Sequence, residues 1–169
     1  MSFLSPAVGP AAALIPLSLH PEPSALVIVA GGGRDLAWPV PVIARELLAH
    51  AHGRPVHLVL HGGARGADQA IALAADQHGW PAAALPADWR RFGRGTGPIR
   101  NRQLLEQAIR HAQSHSSSHS PVGVLVVAFP GGSSTASLLQ LTHQRVLSSP
   151  VPLLVIEVAP ALSSALAPA

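Results

Sequence analysis

The sequence predicts an α/β domain: a Rossmann-like three-layer sandwich around a parallel sheet of about five strands. Three observations carry this. Short apolar runs alternate with segments of helical period; the runs are apolar throughout, as in strands buried on both faces; and three of them end in a pair or triplet of glycines. Strand–helix alternation implies right-handed crossovers and hence parallel pairing.

The elements follow in order. Residues 25–30 (ALVIVA), between Pro23 and Gly31-Gly32-Gly33, form the first strand. Residues 39–52 place Val42, Ile43, Leu47 and Leu48 on one side of a helix that stops at Gly53. Residues 56–60 (VHLVL) are a second strand, ending at His61-Gly62-Gly63, and residues 66–79 a second helix with Gly79 just past its end. Residues 81–85 are a short third strand, and residues 86–97 an Arg/Gly-rich loop. A third helix covers 98–112, with Pro98 at its first position. The polar stretch 111–121 (HAQSHSSSHSP) reads as a surface loop whose histidines are solvated. Residues 122–129 (VGVLVVAF) are the most apolar strand; a fourth helix over about 136–147 and a fifth strand over 152–158 complete the fold.

With 169 residues, 48% of them apolar and only 11% charged, there is material for one well-buried domain and too little for two. Domain organisation is expected as a flexible Pro/Ala-rich arm over 1–24, the folded domain over 25–158, and a disordered tail over 159–169. Without cysteine there are no disulfides, no thiolate chemistry and no Cys-based metal site. No run reaches membrane-spanning length, and the start is broken by Pro6, Pro10 and Pro16 and lacks a basic n-region. No signal peptide is therefore expected, and the compartment is expected to be cytoplasmic. All basic residues are arginine, and the net charge is only +3, which does not require nucleic acid. Arg90, Arg91, Arg94, Arg100 and Arg102 do cluster, with Asp88 alone offsetting them nearby.

Function is expected where the strands end. In an open α/β sheet, ligands bind beyond the carboxyl ends of the strands, near the reversal of strand order. Each glycine cluster leads towards a helix N-terminus, where unpaired N–H groups favour an anion. The strongest is PGGSST at 130–135, in which the hydroxyls of Ser133, Ser134 and Thr135 can donate to phosphate or can cap the helix. A side chain added at Gly131 is expected to occupy the phosphate's approach. GxGxxG is absent after the first strand, and the lack of lysine excludes GxxxxGK[ST], so neither an ordinary dinucleotide dehydrogenase nor a P-loop NTPase is expected. No cofactor and no metal site are expected.

Five motifs occur in order: GGGRD (31–35), HGGARGAD (61–68), ADW (87–89), GPIRNRQLL (97–105) and AFPGGSST (128–135). Over about residues 25–156 the chain resembles the YspA-type (cpYpsA-related) branch of the SLOG superfamily, which also holds the Lonely-guy phosphoribohydrolases and the DprA proteins. The resemblance implies a Rossmann-like fold, a small-molecule nucleotide-type ligand and self-association, as a dimer. By position it implies Gly31, Gly32 and Arg34 at the first strand's end. Gly62, Gly63, Gly66 and Asp68 would form a second wall. Arg100 and Asn101 would lie on the third helix, and Gly131, Gly132, Ser133, Ser134 and Thr135 would form a phosphate-binding loop. Other roles are open to several of these: an ion pair for Arg34 and Asp35, a helix cap for Asp68, a lid or base-stacking role for Trp89, and an anchor of the third helix's first turn for Asn101. For Arg100, a bidentate guanidinium beside anion sites, phosphate contact is the favoured role.

Three activities compete. Binding, whether for sensing or processing, needs only the glycine walls, the hydroxyls and Arg100. Hydrolysis of a nucleoside 5′-monophosphate, as in Lonely-guy enzymes, needs the glutamate of PGGxGTxxE; here Ser134 replaces a glycine, and Ser137 and Leu138 follow with no acid. Glu106 and Asp68 are the spare carboxylates, and no catalytic residue is assigned. DprA-like single-strand binding would use the arginine cluster but has few interleaved aromatics beyond Trp89 and Phe92.

Overall fold

The computed structural model describes residues 20–160; the arm and tail readings over 1–19 and 161–169 lie outside the described residues. Five strands, β1 (Ala25–Gly31), β2 (Val56–His61), β3 (Ala82–Ala84), β4 (Val122–Ala128) and β5 (Leu153–Glu157), form one sheet in the order β3-β2-β1-β4-β5, every pair parallel. The helices are α1 (Val40–Ala51), α2 (Ala67–Gln77), α3 (Trp89–Phe92), α4 (Thr96–His115) and α5 (Ser133–Arg145).

The unbroken apolar character of β1 and β4 has a direct cause: each faces a core on both sides. Successive side chains alternate across a strand. Leu26 and Ile28 of β1, with Leu125 and Val127 of β4, pack against Ile43 and Leu47 of α1 and Ile71 of α2. Val27 and Val29, with Val124 and Val126, pack on the other side against Leu104, Leu105 and Ile109 of α4 and Leu138 of α5. Two helical layers thus enclose the sheet. From β1 the chain winds outward through α1, β2, α2 and β3, then returns through α4 to place β4 on the other side of β1. The reversal of strand order therefore lies between β1 and β4, which open a crevice at their carboxyl ends.

Several boundaries differ from expectation. The 86–97 segment is not simply a loop. It contains α3, whose first turn is held by the Asp88 carboxylate accepting from the Arg91 N–H at 3.1 Å, and a 3₁₀ turn over Gly93–Gly95. Four residues are too few to show helical period. Helix α4 begins at Thr96, so that Pro98 falls in its first turn, and continues to His115 through residues read as loop. Its exposed end needs no apolar residues, and Ser114 and His115 both bond the His111 carbonyl there, at 2.9 Å each. Residues 20–24 lie along the base of the sheet, with His20 Nε2 2.8 Å from the Ser149 carbonyl and Pro23 against Gly123. Among the described residues no helix is long and apolar enough to cross a membrane.

Candidate functional site

The crevice between the ends of β1 and β4 is a cleft of about 630 Å³. Its rim is made by strand tips that converge. Past β1 the Gly33 N–H donates to the Pro130 carbonyl beyond β4 at 2.9 Å, and the Gly33 carbonyl accepts from the Ala67 N–H at the start of α2 at 3.1 Å. Two glycines are demanded by this closeness. Gly66 has φ +74°, and a Cβ there would strike the Arg34 carbonyl; a Cβ on Gly131 would strike Thr135 Oγ1 and lie 2.7 Å from the Gly33 nitrogen.

The fourth predicted helix starts earlier than its pattern suggested. Gly132 is the N-cap of α5 and no side chain caps it, so Ser133, Ser134 and Thr135 form the helix's first turn. The capping role open to these hydroxyls is not the one they take. Their turn faces the cleft with no acidic residue in it, an arrangement favourable to an anion. Ser133 and Ser134 are exposed, whereas Thr135 is buried against Gly131.

Beside this turn stands Arg100 of α4. Its Nε donates to Asn101 Oδ1 at 3.1 Å, NH1 to the Gly62 carbonyl at 3.2 Å, and NH2 to Ser134 Oγ at 3.4 Å. It lies so close over Gly62 that a Cβ there would overlap the guanidinium. Burial pulls Arg100 below its usual pKa, Asp68 opposes this, and Arg34 adds to the lowering; an arginine remains cationic regardless. Asn101 does not anchor the first turn of α4. It lies one turn further on, 2% exposed, and its Nδ2 donates to the Ser134 carbonyl at 2.8 Å.

Residues 26–92 match the family model described as YspA, cpYpsA-related SLOG family. No curated protein and no solved structure matches the chain. The SLOG match runs from β1 through α3 and so covers two cleft walls, Gly31–Arg34 and Gly62–Asp68; Arg100, Asn101 and PGGSST lie beyond it.

Of the ligand-binding positions that the resemblance implies, all line the cleft except Gly63 and Gly66. Gly63, at φ +69°, sits against Ala84 and Pro86 on the β3 side, and Gly66 is the N-cap of α2. Asp35 pairs with Arg65 at 3.1 Å, and both members of that pair are exposed. Of the two spare carboxylates, Glu106 is held by Arg145 at 2.9 Å and is not part of the cleft lining, while Asp68 is in it. Of the five clustered arginines, Arg100 is the one among the described residues that lines the cleft; Arg90, Arg91 and Arg102 are exposed, with Arg91 5.0 Å above the Phe92 ring.

Sequence reading missed Leu104 and Leu138, which give the cleft an apolar lining, because helical period marks them only as core. It also missed His61. This side chain is 7% exposed, and its Nδ1 accepts from the Gly63 N–H at 3.1 Å, which leaves the proton on Nε2 in the neutral ring. Burial lowers its pKa, Asp68 raises it and Arg100 lowers it. The signal was a histidine at the carboxyl end of a strand, directly before a glycine pair.

Asp68 is 4% exposed and takes the Ala64 N–H on Oδ2 at 3.0 Å, so it ties the second glycine loop to α2 rather than capping the helix end. Burial holds its carboxyl above the usual aspartate range, against the Ala64 amide and the charges of Arg100 and His61. With a folded pKa above the unfolded one, the folded state holds this proton more tightly. Asp68 therefore costs stability as pH rises from the unfolded value through the folded one, and costs none below both. Asp68→Asn keeps an acceptor for Ala64 and is expected to melt higher than the unsubstituted protein at neutral pH, the gap closing on acidification. A gap in melting temperature that stays constant with pH would count against this.

Proposed function

We propose that the cleft binds a nucleotide or nucleotide-derived ligand, its phosphate seated on the first turn of α5 and against Arg100. The observation that carries this reading is the convergence of a helix N-terminus without acidic residues, the Ser133 and Ser134 hydroxyls and a cationic guanidinium at the reversal of strand order. The apolar lining from Ala30, Leu104 and Leu138 suits a base or sugar face, as ligand clefts usually combine apolar walls with few polar groups. The match of residues 26–92 to the SLOG family model supports a nucleotide-related role. Self-association as a dimer, which rests on the family resemblance alone, and a cytoplasmic location, which rests on the sequence reading, belong to the same proposal.

The test is thermal unfolding with AMP, ADP, ADP-ribose, inorganic phosphate and adenosine. Phosphate-bearing nucleotides are expected to raise the melting temperature, adenosine much less; at a hundred times Kd a ligand adds roughly 2.7 kcal/mol. Equal response to adenosine and AMP would remove the phosphate from the reading, and no response to any of them would remove the site.

One observation favours a second reading. Asp68 places a carboxyl of raised pKa in the same cleft as Arg100, at a different position from the absent PGGxGTxxE glutamate, and so keeps N-glycosidic hydrolysis in play. Release of free base from AMP, lost in Asp68→Asn, would establish it.

A further inference from the structure

We propose that Asn101 is the positioning residue of this cleft: its one amide group sets the distance and angle between the Arg100 guanidinium and the first turn of α5, without itself contacting ligand. The inference rests on the binding reading above and adds to it a division of labour between two adjacent residues. Asn101 is 2% exposed, and both ends of its amide are used. Oδ1 accepts from Arg100 Nε at 3.1 Å while Nδ2 donates to the Ser134 carbonyl at 2.8 Å. Few side chains can do both, since the job requires an acceptor and a donor held in one plane; aspartate offers only acceptors and leucine neither.

The donor inventory of Arg100 gives the consequence. A guanidinium carries five N–H bonds. The Nε–H is committed to Asn101 and one NH1 hydrogen to the Gly62 carbonyl, which leaves three on NH1 and NH2, with NH2 already 3.4 Å from Ser134 Oγ. Two bonds to the frame thus fix the plane of the fork, and the remaining donors are presented beside the α5 amides. A long arginine side chain otherwise loses much rotamer freedom on capturing an anion, and prior immobilisation removes that cost from the binding step. The same amide also grips the carbonyl of Ser134, so cation and helix turn are held to each other across α4 and α5.

The experiment uses two readouts on the full chain. In the ligand-free protein, ¹⁵N relaxation of the Arg100 Nε–H, assigned by its loss in Arg100→Ala, is expected to report a rigid side chain that becomes mobile in Asn101→Ala. By calorimetry with AMP and with inorganic phosphate, Asn101→Ala is expected to bind at least about tenfold more weakly, and the Arg100→Ala/Asn101→Ala double variant no more weakly than Arg100→Ala alone. A purely structural role would instead give additive losses. Should Asn101→Ala fail to fold, the isosteric Asn101→Asp keeps the acceptor and loses the donor to Ser134; it is expected to hold Arg100 rigid yet bind AMP more weakly, and wild-type affinity would overturn the proposal. An Arg100 Nε–H equally rigid in Asn101→Ala also overturns it. If the unsubstituted protein binds neither probe, the binding reading fails, and the relaxation measurement alone decides whether Asn101 positions Arg100.

Discussion

Arg100→Ala is expected to lower affinity for AMP by roughly 30- to 100-fold while the protein stays folded, with a melting temperature within a few degrees of the original. Hydrogen bonds to a charged group are worth about 1.5–3 kcal/mol where they replace water on both sides, and a guanidinium on phosphate makes up to two of them. The stability side is small because the bonds lost run to groups that line the cleft, the Gly62 carbonyl, Asn101 and Ser134, where water can take the place of the guanidinium. One secondary change has a definite sign: Asp68 loses a cation that favours its ionised form, so its carboxyl titrates higher still. Arg100→Lys retains the charge without the planar fork and is expected to fall between the two. Isothermal titration of AMP alongside calorimetric melting checks all of this, and undiminished affinity in Arg100→Ala would take that residue out of the site.

Gly131→Val is expected to lose AMP binding altogether and to lose stability as well, by roughly 2 kcal/mol, an amount typical of overpacking and equal to a fall of about 5–8 °C in melting temperature for a domain of this size. Sequence reasoning anticipates the loss of binding but from a different cause, a side chain standing in the phosphate's path. In the structure the added Cβ meets the protein first: Thr135 Oγ1, the Gly33 nitrogen at 2.7 Å and the Gly32 carbonyl carbon at 3.0 Å. The two strand tips must part, and the Gly33–Pro130 bond that joins them is strained or broken. Gly132 supplies the contrast. Nothing lies within 4 Å of a Cβ built there, so Gly132→Ala should melt like the original, and Gly132→Val tests the cleft with little disturbance of the loop. A Gly131→Val protein that melts and binds normally would show that the tips are not packed as described.

These two glycines show where sequence reasoning stops. Neighbours in PGGSST, they look alike as letters, yet one is required by the protein's own packing and the other faces open space. The difference lies in what the β1 tip does about a hundred residues earlier in the chain, in the other half of a parallel pair, Gly31 opposite Ala128, and no local pattern encodes it. Asn101 and Asp68 teach the same lesson from the side-chain end. Each was found by position in a motif and assigned an open choice of roles. The roles they take, bonding the Ser134 carbonyl and the Ala64 amide, involve partners on another helix and in the preceding loop.

The amino-acid order alone determined the strands, the layers and the end of the sheet at which the glycine-lined cleft lies. Apolar runs long enough only for strands, separated by helical period, admit few arrangements other than a parallel sheet covered on both faces, and glycines at the tips mark the end where backbone is approached. Tertiary structure decided what each polar group does there: that Arg100 faces the α5 turn, that Asp68 and not Glu106 shares its cleft, that His61 is buried behind it, and that the serines begin a helix instead of capping one. The physical reason is range. Hydrophobic burial is non-directional and survives averaging over a window of sequence, whereas hydrogen bonds and charge effects depend on a few tenths of an ångström between residues that only the completed fold brings together.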